Sequence, residues 1–105
     1  MSETWRSECP IARTLDILGD KWTLLVLRDA LVFGYRTYAE FEHSAEKIPT
    51  NLLADRLKRL TEHGLLEKVA YQDKPKRYHY VPTERGRAVR PVLRAMRLFG
   101  EGHLN

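Results

Sequence analysis

Thr50 and Asn51 stand at the head of a run in which Leu53, Leu57 and Leu60 recur at helical spacing, and Arg56, Lys58 and Arg59 are threaded through it. Lys74, Lys76 and Arg77 crowd a polar turn further along the chain. These residue types suit one chemistry. An asparagine amide can bond adenine through two hydrogen bonds, and a threonine can donate, accept or touch a thymine methyl. Ammonium and guanidinium groups pair with phosphate. Together they point to recognition of a nucleic acid. Each has a plainer reading: Thr50 or Asn51 capping a surface helix, and the basic tip as an ordinary solvated hairpin end. If the leucine stripe faces a core, then Asn51, Ala54, Asp55 and Lys58 face away from it. Thr50 and Asn51 then belong to the exposed N-terminal turn that reads bases, while Arg56, Lys58 and Arg59 are placed for phosphate or the groove edge. Asp55 on that face must avoid the DNA backbone or accept from a cytosine amino group.

Cys9 is the second chemical candidate. It is the chain's one cysteine and immediately precedes Pro10, at an expected helix N-terminus, with Arg6 and Arg13 close in sequence. The partial positive charge of a helix start and neighbouring cations favour a thiolate. A redox-sensing thiol and an inert, partly buried side chain both fit. One thiol makes no internal disulfide, so the chain is not a disulfide-stapled scaffold. His43, His63, His79 and His103 are scattered without metal-ligand spacing. There is no P-loop, no G-x-S-x-G and no G-x-G-x-x-G. The sequence therefore offers no catalytic residue, no metal site and no cofactor, and an enzyme is not expected.

The elements that must position these residues follow from periodicity. Pro10 to Leu18 reads as a first helix stopped by Gly19. Asp20 caps a second, roughly Lys21 to Phe33, that is apolar on nearly every face and so belongs at the centre of the fold. Thr37 and Glu40 form a capping box for a short third helix, about Tyr38 to Ser44. The fourth, about Thr50 to His63, ends at Gly64. Leu66 to Tyr71 and Arg77 to Val81 read as strands joined by the turn 72–76. Thr83 caps a last helix, about Glu84 to Gly100, in which Pro91 implies a kink or a late start. Arg87, Arg90, Arg94 and Arg97 line one face of it, most simply a solvated one, and Val89, Val92, Leu93, Met96 and Phe99 line the other. This order describes a mainly α protein with a small β-hairpin. It is the winged helix-turn-helix plan, in a single domain over 1–105 with the helix-turn-helix at about 37–63 and the wing at about 65–82.

The charge balance agrees. The 105 residues carry 18 basic and 14 acidic side chains, net +4. Residues 1–49 hold six and eight, net −2, and residues 50–105 hold twelve and six, net +6. A positive field confined to one half is the footprint of a polyanion-binding surface. No apolar run approaches the length of a membrane span, and the polar N-terminus has no secretory signal. A cytoplasmic, reducing setting is expected.

Several of these segments resemble the HxlR family of winged-helix regulators, relatives of the MarR type. They are Cys9-Pro10, Leu18-Gly19-Asp20-Lys21-Trp22-Thr23, Leu27-Arg28-Asp29, Tyr38-Ala39-Glu40-Phe41, Ile48 to Leu53, Leu57-Lys58-Arg59-Leu60 with Gly64-Leu65, and the wing from Pro75 through Arg77 and Tyr80 to Thr83 and Gly86. The resemblance implies a homodimer that binds palindromic operator DNA. Its subunits would meet through the helices at about 10–18 and 84–100, which places Ile11, Leu15, Val89, Leu93, Met96 and Phe99 at the contact. It carries Thr50, Asn51 and Lys58 over as residues of the reading helix and Arg77 as the wing arginine; the placement of Arg56, Arg59, Lys74 and Lys76 adds these to the backbone contacts. It also makes Cys9 a candidate sensor of oxidants or small electrophiles. The chain departs from the family pattern in having Pro49-Thr50 where Ser-Pro is usual, His79 where the wing often carries Glu, and Phe99 in place of a common Trp. It ends at Asn105, earlier than many members, which predicts a leaner dimer. Two other readings stay open: a winged-helix docking module without specific DNA binding, and RNA binding through Tyr71, Tyr78 and Tyr80.

Overall fold

Most of the helices begin where a side chain or a proline resolves an unpaired N–H group of the first turn. A computed structural model describes residues 4–105. Helix α1 (Pro10–Leu18) places proline at its first position, where a missing N–H costs nothing. Asp20 starts α2 (Lys21–Leu31), its Oδ1 accepting from the N–H of Trp22 at 2.6 Å and of Thr23 at 3.4 Å. The Thr37–Glu40 capping box forms and starts α3 (Tyr38–Glu42). The Glu40 carboxylate accepts from the N–H of Arg36 at 2.8 Å and of Thr37 at 3.0 Å, which holds its pKa below the usual value. Helix α4 (Thr50–Glu62) follows Pro49. Gly64, at φ 75, turns the chain out of α4 in a conformation that favours glycine.

Strands β1 (Leu66–Asp73) and β2 (Lys76–Pro82) pair antiparallel across Lys74-Pro75, whose peptide bond is cis. Both run longer than the expected strands, because the polar residues of the turn join the ladder. The ladder slips between Ala70 and Gln72, leaving a bulge at Tyr71.

One helix was expected over 84–100, and two form: α5 (Glu84–Arg87) and α6 (Arg90–His103). Pro91 lies in the first turn of α6. It fits there, but it cannot bond back into a preceding turn, so α5 ends before it. Thr83 caps α5, accepting from the Gly86 N–H at 3.0 Å.

The core is α2 against α4. Val26, Leu27 and Ala30 meet Leu53, Leu57 and Leu60, joined by Phe41, Leu65 and Leu66. Phe41 lies edge-on to Tyr35 and Tyr80, with ring centroids 6.0 and 6.4 Å apart. The Tyr80 N–H donates to the Arg36 carbonyl at 2.7 Å, so the wing is tied to the loop before α3.

Helix α6 lies outside this core and buries no residue. Met96, Leu98 and Phe99 on it are exposed, as are Ile11 and Leu15 on α1 and Val32 and Phe33 beyond α2. Val89, expected at the subunit contact, is instead 7% exposed and belongs to the chain's own core, because it precedes α6 at the break that Pro91 creates. Leu93, one turn on, packs partly against the same core. Among the described residues no helix is long and apolar enough to cross a membrane.

Candidate nucleic-acid interface

The leucine stripe of α4 is buried, and Thr50, Asn51, Ala54, Asp55 and Lys58 are exposed on the other side. The helix starts without any side-chain cap. Neither Thr50 nor Asn51 is therefore spent on capping, and both are left facing solvent at its N-terminal turn. Arg59 is half-buried, at the flank of the stripe. The Tyr38 hydroxyl donates to the Thr50 carbonyl at 3.2 Å, linking α3 to the start of α4.

Arg56 corrects the sequence-based expectation. Its Nε donates to Asp20 Oδ2 at 2.9 Å, a second guanidinium nitrogen pairs with the same oxygen, and Nη1 pairs with Asp55. Its side chain is 14% exposed. Arg56 is committed to the fold rather than to phosphate. Asp20 thus caps α2 with one oxygen and anchors the α4 arginine with the other, so a single carboxylate sets α4 against the central helix. Asp55 is also engaged, which lessens its expected repulsion of DNA: it shares the Arg56 guanidinium with Asp20. These contacts were missed because Asp20 and Arg56 are 36 residues apart, and no local pattern joins them.

Burial pushes the Asp20 carboxyl up, but the Arg56 hydrogen bond and the N–H groups of Trp22 and Thr23 outweigh it and hold the pKa below 3.8. A folded pKa below the unfolded one adds stability above the unfolded value, and that stability is lost as pH falls through the folded one. Asp20→Asn keeps an oxygen for the cap and removes the charge. It is expected to cost about 1 kcal/mol at neutral pH, since the pair is partly exposed. The gap from the parent, read from urea midpoints, should close as pH falls below about 4. A gap of constant size down to pH 3 would show that the charge is not what Asp20 contributes.

The wing carries Lys74, Lys76 and Arg77 at its tip, all exposed. Lys68 Nζ lies 4.2 Å from the Tyr78 ring centroid, and Tyr71 stacks on His79 at 4.1 Å. Tyr71 and Tyr78 thus have partners within the hairpin, and Tyr80 packs against Phe41.

Cys9 is exposed at the N-cap of α1. Its N–H donates to Ser7 Oγ at 3.1 Å. The two arginines expected to assist it are engaged elsewhere. Arg6 pairs with Asp16 at 2.9 Å, and Arg13 donates to the Ser7 carbonyl at 2.6 Å while lying over the Trp5 ring. Among the described residues no three His, Cys, Asp or Glu side chains converge to hold a metal.

Comparison with known proteins matches this geometry to regulators. Residues 17–105 match the HxlR-like helix-turn-helix family. The HTH-type transcriptional regulator sll1512 of Synechocystis is 38% identical over 91% of this chain and 70% of its own. The chain spans 58% of the length of HTH-type regulators of Mycobacterium that are 35% identical to it. Among solved structures, PA1607, described as a candidate transcription factor, superposes with a TM-score of 0.86 at 38% identity, over 95% of this chain and 68% of that one. The redox regulator HypR in its reduced form superposes with a TM-score of 0.79 at 28% identity, over 92% and 95% of the two chains.

Proposed function

Since the chain belongs to the HxlR-like helix-turn-helix family, we propose that this transcriptional regulator binds a palindromic operator as a homodimer. The observation that carries the reading is the start of α4, where the Thr50 and Asn51 side chains are exposed and not spent on capping, in a chain whose wing tip also exposes Lys74, Lys76 and Arg77. In this arrangement α4 enters the major groove. Thr50, Asn51 and Lys58 address base edges, Arg59 lies at the groove edge, and Lys74, Lys76 and Arg77 follow the backbone. Two subunits would set two reading helices about 34 Å apart, one DNA turn.

The dimer reading is supported by α6, which has no fully buried residue within its own chain, and by the exposed Ile11 and Leu15 on α1. An open groove of about 970 Å³ separates α2 from α6, with Leu25, Phe33 and Met96 among its walls. A second copy would cover these apolar residues. The same surface is what a docking module for another protein would show. Light scattering across a concentration series separates the two, because a chain that is monomeric at every concentration leaves the surface to a foreign partner.

DNA binding is tested with purified protein on its own upstream intergenic DNA, against excess unrelated competitor and across a salt series. Tight binding that resists competitor and weakens steeply with salt is expected; binding that competitor abolishes would remove the specific-operator reading. Asn51→Ala should change base preference by about 1–3 kcal/mol at one operator position. In the same randomised-site library, Lys76→Ala should weaken all sequences alike. An unchanged preference in the Asn51 variant would sink that assignment.

A response to oxidants or small electrophiles through Cys9 is part of the proposal. It is supported by the exposure of the thiol on α1 and by the likeness to a redox regulator solved in reduced and oxidised forms. Oxidation would take the thiolate to a sulfenic acid that condenses with a second thiol, necessarily from another molecule because this chain has one cysteine. The modified α1 would disturb the subunit contact and weaken operator binding. Cys9→Ser should bind the operator like the parent and keep binding after oxidant; a variant that loses binding to oxidant as readily as the parent does would remove Cys9 from the role.

A further inference from the structure

Lys47 sits in the turn between α3 and α4 with φ 55, the one non-glycine among the described residues in the left-handed region. There a Cβ crowds the backbone, and glycine is the residue that fits without strain. Nothing inside the fold repays the lysine. Its backbone N–H donates to the Ser44 carbonyl at 3.0 Å, a bond any residue could make. The side chain is exposed, and its ammonium has no ion pair among the described residues. A strained residue whose side chain has no polar partner inside the fold points to a use outside it.

The surrounding charges indicate what that use is. Glu46 is paired with Arg28 at 2.8 Å, and Asp55 is paired with Arg56. Both acidic neighbours of the α4 start are thus engaged by arginines of the fold, each of which also holds a second carboxylate, Asp29 for Arg28 and Asp20 for Arg56. Lys47, ahead of α4, has no such partner among the described residues. Its place is fixed from the next residue, since Ile48 is 7% exposed within the core and Pro49 is the N-cap of α4.

We propose that Lys47 is a DNA backbone contact, its ammonium pairing with a phosphate that flanks the bases addressed by Thr50 and Asn51. The inference rests on the DNA-binding reading above. It adds a residue that only the backbone angle reveals, since nothing in the sequence distinguishes this lysine from other exposed ones.

The test uses Lys47→Gly and Lys47→Arg in the full chain. Binding is measured across a salt series on the upstream duplex and on a scrambled duplex of the same length, with thermal melts alongside. Lys47→Gly relieves the backbone and removes the cation. Its melting midpoint should equal or exceed the parent's, while affinity for both duplexes falls about fivefold and the slope of log K against log salt becomes shallower by about 0.9. Lys47→Arg should bind as the parent does. Unchanged affinity and slope in the glycine variant would overturn the inference and leave the DNA-binding reading intact. So would a lowered melting midpoint in that variant, which would make Lys47 structural. A parent protein that binds neither duplex would remove the DNA-binding reading itself, and this contact with it.

Discussion

Met96→Glu should yield a folded monomer whose operator affinity is lower by about two orders of magnitude. Met96 lies midway along α6, a helix that buries none of its residues within its own chain, and its side chain is 49% exposed. In a monomer a glutamate there meets water and costs little. In a seam between two copies the same carboxylate loses its hydration, a cost that pairing with the arginines along the groove repays only in part, and subunits separate rather than bury it. The effect on DNA then follows from geometry. Two half-sites held by one dimer turn the second binding event into an intramolecular one, a gain of roughly 10²–10⁴ that a monomer forfeits. Light scattering reads the assembly, a thermal melt reads the fold, and titration of the upstream duplex reads the affinity. A variant that stays dimeric and binds like the parent would remove α6 from the interface.

Gly86→Ala should lower stability by about 3 kcal/mol, at the upper end of what overpacking costs. That corresponds to a fall of roughly 10–20 °C in melting midpoint for a domain of this size. A methyl group built on Gly86 drives into the Leu65 carbonyl, and what it meets is backbone rather than a side chain that can swing away. The carbonyl cannot retreat freely either. Leu65 O accepts from the Thr83 N–H at 3.1 Å, Thr83 Oγ1 donates to the Gly64 carbonyl at 2.6 Å, and the Leu65 N–H returns to the Leu60 carbonyl at 2.8 Å. The exit of α4 and the exit of the wing are fastened at this one point, so the strain falls on the joint that aims the hairpin. Calorimetry on the parent and on the Gly86→Ala protein checks it. A midpoint within two or three degrees of the parent's would mean that the joint is looser than its hydrogen bonds imply.

The parts of this fold that were legible in the sequence are those fixed within a few residues. Asp20, Thr37 with Glu40, and Thr83 each cap the helix that follows, and the leucine stripe of α4 gave its buried side, because caps and helical faces are local physics. What escaped depends on distance or on backbone state. Arg56 reads as one more surface cation until α2 brings Asp20 against it. Val89 shares the apolar spacing of Met96 and Phe99, but the break before Pro91 sends it inward, and a pattern that treats 84–100 as one helix cannot separate them. The left-handed angle at Lys47 has no signature in residue type at all.

The bulge at Tyr71 has a consequence for how such a protein changes over generations. Beyond it the hairpin tip is held by its own ladder and by few contacts with the core, and Lys74, Lys76 and Arg77 all lie on that outer portion. Substitutions there should be nearly neutral for folding, as surface changes away from packed features generally are. On the proposed DNA-binding reading, selection could therefore raise or lower the overall grip on a duplex at the tip while α4, bolted to α2 through Asp20, keeps its aim. Strength and choice of target would then be separately heritable traits, and drift in one need not drag the other along.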